Sequence, residues 1–197
     1  MRIVHVNLFD ALGGASSTAW TLMNHMSSQG HEVHIFAHQK TTDDPRVVPL
    51  PFLQTDWQKK MLHEQSKQGL FDLYSAALLQ VIEHPLFEQA DIIHLHCING
   101  GYFSFLLLPF LTAKPTVWTL HDPLAFTGGC YNTDDCSNWQ SNWCAKCPLD
   151  EKGNVVKPQR ELIQILKASI YKMADFTVVC PSQWLQKQAQ ASILKNH

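Results

Sequence analysis

Residues able to do imidazole and thiol chemistry gather in the middle third of this 197-residue chain. His94-Leu95-His96 and Thr119-Leu120-His121-Asp122 each close an apolar run, and Phe126-Thr127-Gly128-Gly129-Cys130 follows. Strand side chains alternate between faces, so His94 and His96 point the same way. Such a pair can bind a metal, or place one imidazole in a cleft as a base near neutral pH. His94, deeper in its strand, reads as a structural histidine satisfied by backbone. His96 sits at the strand end, where open α/β sheets meet their ligands, and is the functional candidate. His121 and Asp122 end the neighbouring strand, where capping of the next turn is the ordinary alternative. Thr127-Gly128-Gly129 suits a backbone that must pass close to a bound molecule or another loop.

Cys130, Cys136, Cys144 and Cys147 follow with spacing C-x5-C-x7-C-x2-C. Four thiolates so close in sequence could wrap one tetrahedral zinc, and four cysteines leave no open position for catalysis, so such a site would be structural. The x5 and x7 gaps depart from common zinc-ribbon spacing. Two local disulfides, or four unbridged thiols, stay open as alternatives. Cys97 and Cys180 read as small core residues, and Trp139 and Trp143 as loop packing.

The elements that must position these groups alternate strand and helix. Arg2–Asn7 reads as a buried strand, Gly13-Gly14 as a turn, Ser16–Ser28 as a helix and His31–His38 as a strand. That βαβ opening implies a parallel sheet. Gly13 and Gly14 leave backbone amides uncovered at a helix N-terminus, where an anion or phosphate can approach, although a plain tight turn would look the same. Val47–Leu50, Asp91–His96, Thr116–Leu120 and Phe176–Cys180 read as further strands. Asp56–Glu83, broken near Gly69, reads as helical. So do Gly101–Leu111, Gln159–Ala174 and Gln183–Ala191, the last capped by Ser182. The expectation is a doubly wound, mostly parallel, Rossmann-like α/β sheet of roughly six or seven strands. It forms one domain over 1–197, with a long cysteine-rich loop at 123–156.

Composition narrows the function. The net charge of −2 comes from scattered charges, and without a basic face nucleic acid is not an expected partner. Met1-Arg2-Ile3-Val4 enters a strand directly, unlike a secretory signal. The apolar run 103–111 is too short to span a bilayer. A cytoplasmic protein with reduced thiols is expected.

Gly13-Gly14-Ala15, the HLHCIN segment at 94–99 and above all TLHDPLAFTGGC at 119–130 with CAKCP at 144–148 resemble the N-terminal half of a family 4 glycosyltransferase of the exopolysaccharide and colanic-acid type. Val178-Val179-Cys180-Pro181-Ser182 resembles that family's strand and turn before the interdomain linker, so the resemblance covers nearly the whole chain. It implies a GT-B enzyme in which two Rossmann-like domains face a cleft. A sugar would pass from a nucleotide-sugar donor to a glycan or lipid-linked acceptor with retention of configuration, as in cell-surface polysaccharide synthesis. Carried over, Gly13 and Gly14 would face the donor diphosphate or the acceptor. His96 would contact the transferred sugar as the catalytic candidate, and His121 and Asp122 would line the acceptor side, with Thr127 and Gly128 nearby. No metal is required for catalysis in that fold, so a zinc on Cys130, Cys136, Cys144 and Cys147 would be structural. A lipid-linked acceptor would bring the protein to the inner face of the membrane peripherally.

The family's nucleotide pocket and paired glutamates belong to a C-terminal domain, and nothing after Ser182 matches them. The fragment is therefore expected to be inactive alone. The competing reading is a zinc-stabilised carbohydrate-binding or interaction module without catalysis. A third, a metal-dependent hydrolase, would need His94, His96, His121 and Asp122 to converge on one ion.

Overall fold

The computed structural model describes residues 1–50, 55–70, 72–148 and 159–197. Its strands are β1 (Arg2–Phe9), β2 (Glu32–Gln39), β3 (Val47–Pro49), β4 (Ile92–Leu95), β5 (Thr116–Thr119) and β6 (Thr177–Val179). They form one sheet in the order β3-β2-β1-β4-β5-β6, and every neighbouring pair is parallel. The Rossmann-like α/β expectation holds, with six strands. Strand order reverses between β1 and β4, the switch point at which such sheets open a crevice beyond the strands' carboxyl ends.

The helices are α1 (Gly14–Ser28), α2 (Asp56–Lys67), α3 (Leu79–Ile82), α4 (Pro85–Gln89), α5 (Leu108–Leu111), α6 (Asn138–Ser141), α7 (Arg160–Tyr171) and α8 (Gln183–Gln190). Ser182 caps α8 by accepting from the Leu185 N–H. The expected apolar helix over Gly101–Leu111 is much shorter. Gly100 and Gly101 take φ of 92° and 80°, a left-handed turn that a helix cannot contain. Only a 3-10 turn at Phe105–Leu107 and the four residues of α5 are helical. The end of the expected loop, 149–156, lies outside the described residues.

The sheet is covered unequally. On one face Val4, Val6, Ile93, Leu95 and Trp118 join the main core with Phe87, Leu108, Tyr171, Leu185 and Ala189. On the other, Ala19 and Met23 of α1 pack on Ile3, Val33, Ile35 and Val47. Alternation puts His5, His94, His96 and Thr119 on this second face as well, where His5 pairs beside Ile35 at the margin of that smaller cluster. Polar side chains therefore occupy sheet positions that helices cover elsewhere.

Candidate functional site

Register builds the histidine cluster. Parallel pairing sets His5 of β1 beside His94 of β4, and His96 follows two residues on. The His94 and His96 rings stack with centroids 4.2 Å apart, and His5 stacks on His94 at 4.9 Å. His5 Nδ1 and His96 Nε2 share a hydrogen bond of 2.9 Å. His96 Nδ1 and His121 Nε2 share another of 3.3 Å. His94 Nε2 bonds the Thr119 hydroxyl at 2.8 Å, so a side chain rather than backbone satisfies it. His5, His94 and His96 are buried and His121 half-buried.

Burial disfavours the imidazolium form, and each ring also penalises charge on its neighbour. His5 is lowered to about 3 by burial and then by His94, and His94 to about 4 by burial and then by His121. His96 falls further, through burial, then His94, His5 and His121, and burial lowers His121 too. The cluster is neutral at pH 7. His96, His121 and Asp122 line one small cleft with Cys97 and Asn99. Asp122 is pushed up by burial against the opposing effects of the Leu124 N–H and Lys167. It also caps the next turn by accepting from the Leu124 N–H at 2.8 Å.

Asn7, fully buried, ties this cluster to the glycine turn. Its Oδ1 accepts from the Cys97 N–H at 3.0 Å, while its Nδ2 donates to Ser16 Oγ at 3.1 Å and to the Phe9 carbonyl at 2.8 Å. Gly13, with φ of 88°, precedes α1, and a Cβ on Gly13 or Gly14 would meet nothing within 4 Å. The amides of this helix start are thus unobstructed, as close approach of an anion requires. Beside them Asp10 accepts from the N–H and hydroxyl groups of both Thr41 and Thr42. Burial alone would raise Asp10, but these donors outweigh it and lower it to about 2.

Thr127 and Gly128 lie at the base of the cysteine loop. Thr127 is 1% exposed, and its hydroxyl donates to the Cys130 carbonyl at 3.0 Å and accepts from the Cys130 N–H at 2.9 Å. The loop is held by a polar stripe on α7. Gln164 donates to the Phe126 and Trp139 carbonyls, Lys167 to those of Leu124 and Thr127, and Tyr171 to that of Ala125. Arg160 Nη1 donates to Cys130 Sγ at 3.3 Å. All four cysteines line one cavity of about 250 Å³, with Trp139 and Arg160.

Residues 12–193 match the description of Glycosyltransferase Family 4. The chain belongs to that family. It is also 24% identical over 190 residues to the "Putative colanic acid biosynthesis glycosyl transferase WcaC" of Escherichia coli (strain K12), covering 85% of this chain and 47% of that protein. The chain spans about half the length of the curated relative it matches.

The fold of this family 4 chain brings His96, His121 and Asp122 together, with Gly13-Gly14 joined to them through Asn7. It sets Thr127, Gly128 and the cysteines in a second group against α7. Among the described residues one metal-capable trio has ligand atoms within 4.8 Å of one another, and it is His5, His94 and His96. No three cysteine sulfurs meet that distance. His5, Asn7 and Asp10 escaped sequence reading. A lone polar residue inside an alternating strand carries its signal only in the register with the next strand.

Proposed function

We propose that this chain is the acceptor-side domain of a retaining GT-B glycosyltransferase that moves a sugar from a nucleotide-sugar donor to a glycan or lipid-linked acceptor in exopolysaccharide synthesis. The observation that carries the reading is the neutral imidazole cluster at the carboxyl ends of β4 and β5, backed by His5 from the middle of β1, in a family 4 chain. With His96 bonded at both nitrogens, the neutral chain leaves one ring nitrogen of His121 to bond a sugar hydroxyl without bringing a charge into the cleft. The open α1 N-terminus suits a diphosphate or an acceptor phosphate. The nucleotide pocket belongs, in this reading, to a second Rossmann-like domain, and transfer requires both. The enzyme works in the cytoplasm, meeting lipid-linked acceptors peripherally; among the described residues no helix is long and apolar enough to cross a membrane. Transfer itself needs no metal.

The test is sugar transfer by a protein carrying both domains. His96→Ala is expected to lower kcat about 100-fold or more, the scale of losing one preorganised polar group, with little change in the far-ultraviolet spectrum. Wild-type activity in that variant would remove the cluster from the reaction. Sugar binding without transfer by the two-domain protein would leave the carbohydrate-binding module instead.

A structural zinc clamp on the four cysteines is part of the proposal: no three of their sulfurs stand within reach of one ion, but they share one cavity and two N–H donors are already aimed at sulfur. Gly128 N–H reaches Cys144 Sγ at 3.1 Å and Arg160 reaches Cys130, the outer contacts that steady metal-bound thiolates. Burial, less the Gly128 N–H, pushes the Cys144 thiol up to about 11, so a cation is needed to make it a thiolate near neutral pH. Zinc–sulfur bonds of about 2.3 Å would draw the sulfurs closer together than they stand. Protein purified without chelator is expected to carry about one zinc per chain, and Cys144→Ser to lose it. Metal-free wild-type protein with an unchanged melting temperature after chelation would rule the clamp out.

A further inference from the structure

His96, the catalytic candidate, is 2% exposed, and both of its ring nitrogens are taken by other histidines. Nε2 bonds His5 at 2.9 Å and Nδ1 bonds His121 at 3.3 Å. The three rings lie nearly parallel, 23° apart for His5 with His96 and 28° for His96 with His121. A neutral imidazole has one N–H and one lone pair. A chain of three must therefore run head to tail in one of two directions, and the whole chain shares the choice. His5 Nε2 decides it, because that nitrogen is buried without a hydrogen-bond partner among the described residues. If the chain ran inward from His121, His5 Nε2 would be a buried N–H with no acceptor. If it runs outward, His5 Nε2 is only a bare lone pair. Orphaned buried donors are rarer than under-satisfied acceptors in folded proteins, which favours the outward direction.

We infer that His5, His96 and His121 form one directional imidazole relay in which His5 is a positioning residue, donating from Nδ1 to His96 Nε2, so that His96 donates from Nδ1 to His121 Nε2. His96 and His121 are both held as Nδ1–H tautomers, and the outer end of the relay is the His121 Nδ1–H. The group offered to a ligand oxygen is thus an imidazole donor on His121, while His96 acts through it from one link behind. His94 stands outside the relay, fixed by Thr119. The lowered pKa values of all four rings agree with a chain that passes no net charge at pH 7.

The tautomers are properties of the 197-residue chain and need no substrate, although their consequence for transfer rests on the function proposed above. Long-range ¹⁵N–¹H correlation spectra of histidine-labelled protein at pH 7 are expected to show His96 and His121 protonated at Nδ1. His5→Leu removes the first donor and should release His96 to the Nε2–H form, with a change at His121. His5→Asn, whose amide nitrogen stands near the position of the lost Nδ1, should restore the wild-type pattern. A merely structural His5 would lower the melting temperature without moving a tautomer. Nε2–H His96 in the wild type, or an unmoved pattern in folded His5→Leu, would overturn the relay. So would stoichiometric zinc on His5, His94 and His96, because it would place lone pairs where the relay has a proton. If His5→Leu does not fold, the wild-type spectrum and the Asn variant still decide. Because this readout is independent of sugar transfer, loss of the relay and loss of the proposed function give different results.

Discussion

Lowering the pH from 7 toward 4.5 is expected to unfold this domain steeply, with a midpoint near pH 5 and uptake of about three protons. His5 and His94 hold pKa values of about 3 and about 4 in the fold, His96 lies lower still, and the ordinary value is 6.5. Above pH 6.5 both folded and unfolded chains carry these rings neutral, and the full stability is present. Between pH 6.5 and the folded values the unfolded chain binds protons that the folded one refuses, so stability falls with pH. Each ring contributes about 1.4 kcal/mol per pH unit in that window. Three rings over two units remove about 8 kcal/mol, against roughly 5–15 kcal/mol for the stability of a whole domain. The carboxylates Asp10 and Asp122 do little to oppose this. Asp10 stays ionised down to about pH 2, and Asp122, raised by burial, can add stability only as it takes up its own proton in the folded state. Circular dichroism against pH, with potentiometric counting of protons, checks the expectation. His94→Gln, with one fewer buried imidazole, should unfold over a shallower range. A fold unchanged at pH 4 would mean that the rings are charged or hydrated in the native state.

The strands were readable because a parallel sheet covered on both sides must be built from apolar β-branched runs, and Ile3-Val4, Val33-His34-Ile35 and Thr116-Val117-Trp118 announce themselves that way. The histidine pair at 94 and 96 was readable for the same reason, since a period of two puts both rings on one face. Their partner was not. His5 sits in a strand 91 residues before His96, and its importance exists only once β1 and β4 are in register. In the relay inferred above, that same register makes His96, which lines the cleft, the middle link behind His121.

Helix α7 shows a second kind of illegibility. Its residues 160, 164, 167 and 171 fall on one face, which reads as the inner face of an amphipathic helix, but three of them are Arg, Gln and Lys. That face is buried because irregular backbone from Leu124 to Trp139 brings it unpaired carbonyls. A loop buried against a helix must have its polar backbone groups satisfied. Here side chains on α7 supply the donors, and the loop's demand cannot be seen until both elements are placed.

The tightest joint between that loop and α7 yields the other large expected effect. A Cβ added at Gly128 would stand 2.4 Å from the Arg160 carbonyl oxygen and 2.8 Å from its carbonyl carbon. Both atoms are backbone, in the first turn of a helix that the Gln164, Lys167 and Tyr171 bonds hold in place. The obstruction cannot rotate away as a side-chain tip would. Gly128→Ala is therefore expected to destabilise the domain by about 3 kcal/mol, at the upper end for overpacking, lowering the melting temperature by about 6–12 °C for a chain of this size. Gly14→Ala is the matched control. Its Cβ would meet nothing within 4 Å, and alanine is the better residue inside a helix, so stability should hold or rise by about 0.5 kcal/mol. Because the Gly128 N–H also donates to Cys144 Sγ, a displaced Gly128 should loosen the cysteine cavity, and the thiols of Gly128→Ala are expected to react faster with a maleimide than those of the wild type. If the two alanine variants melted together, the packing of the loop on α7 would have to be looser than these distances describe, and the polar stripe, rather than the close backbone approach, would be what holds the loop.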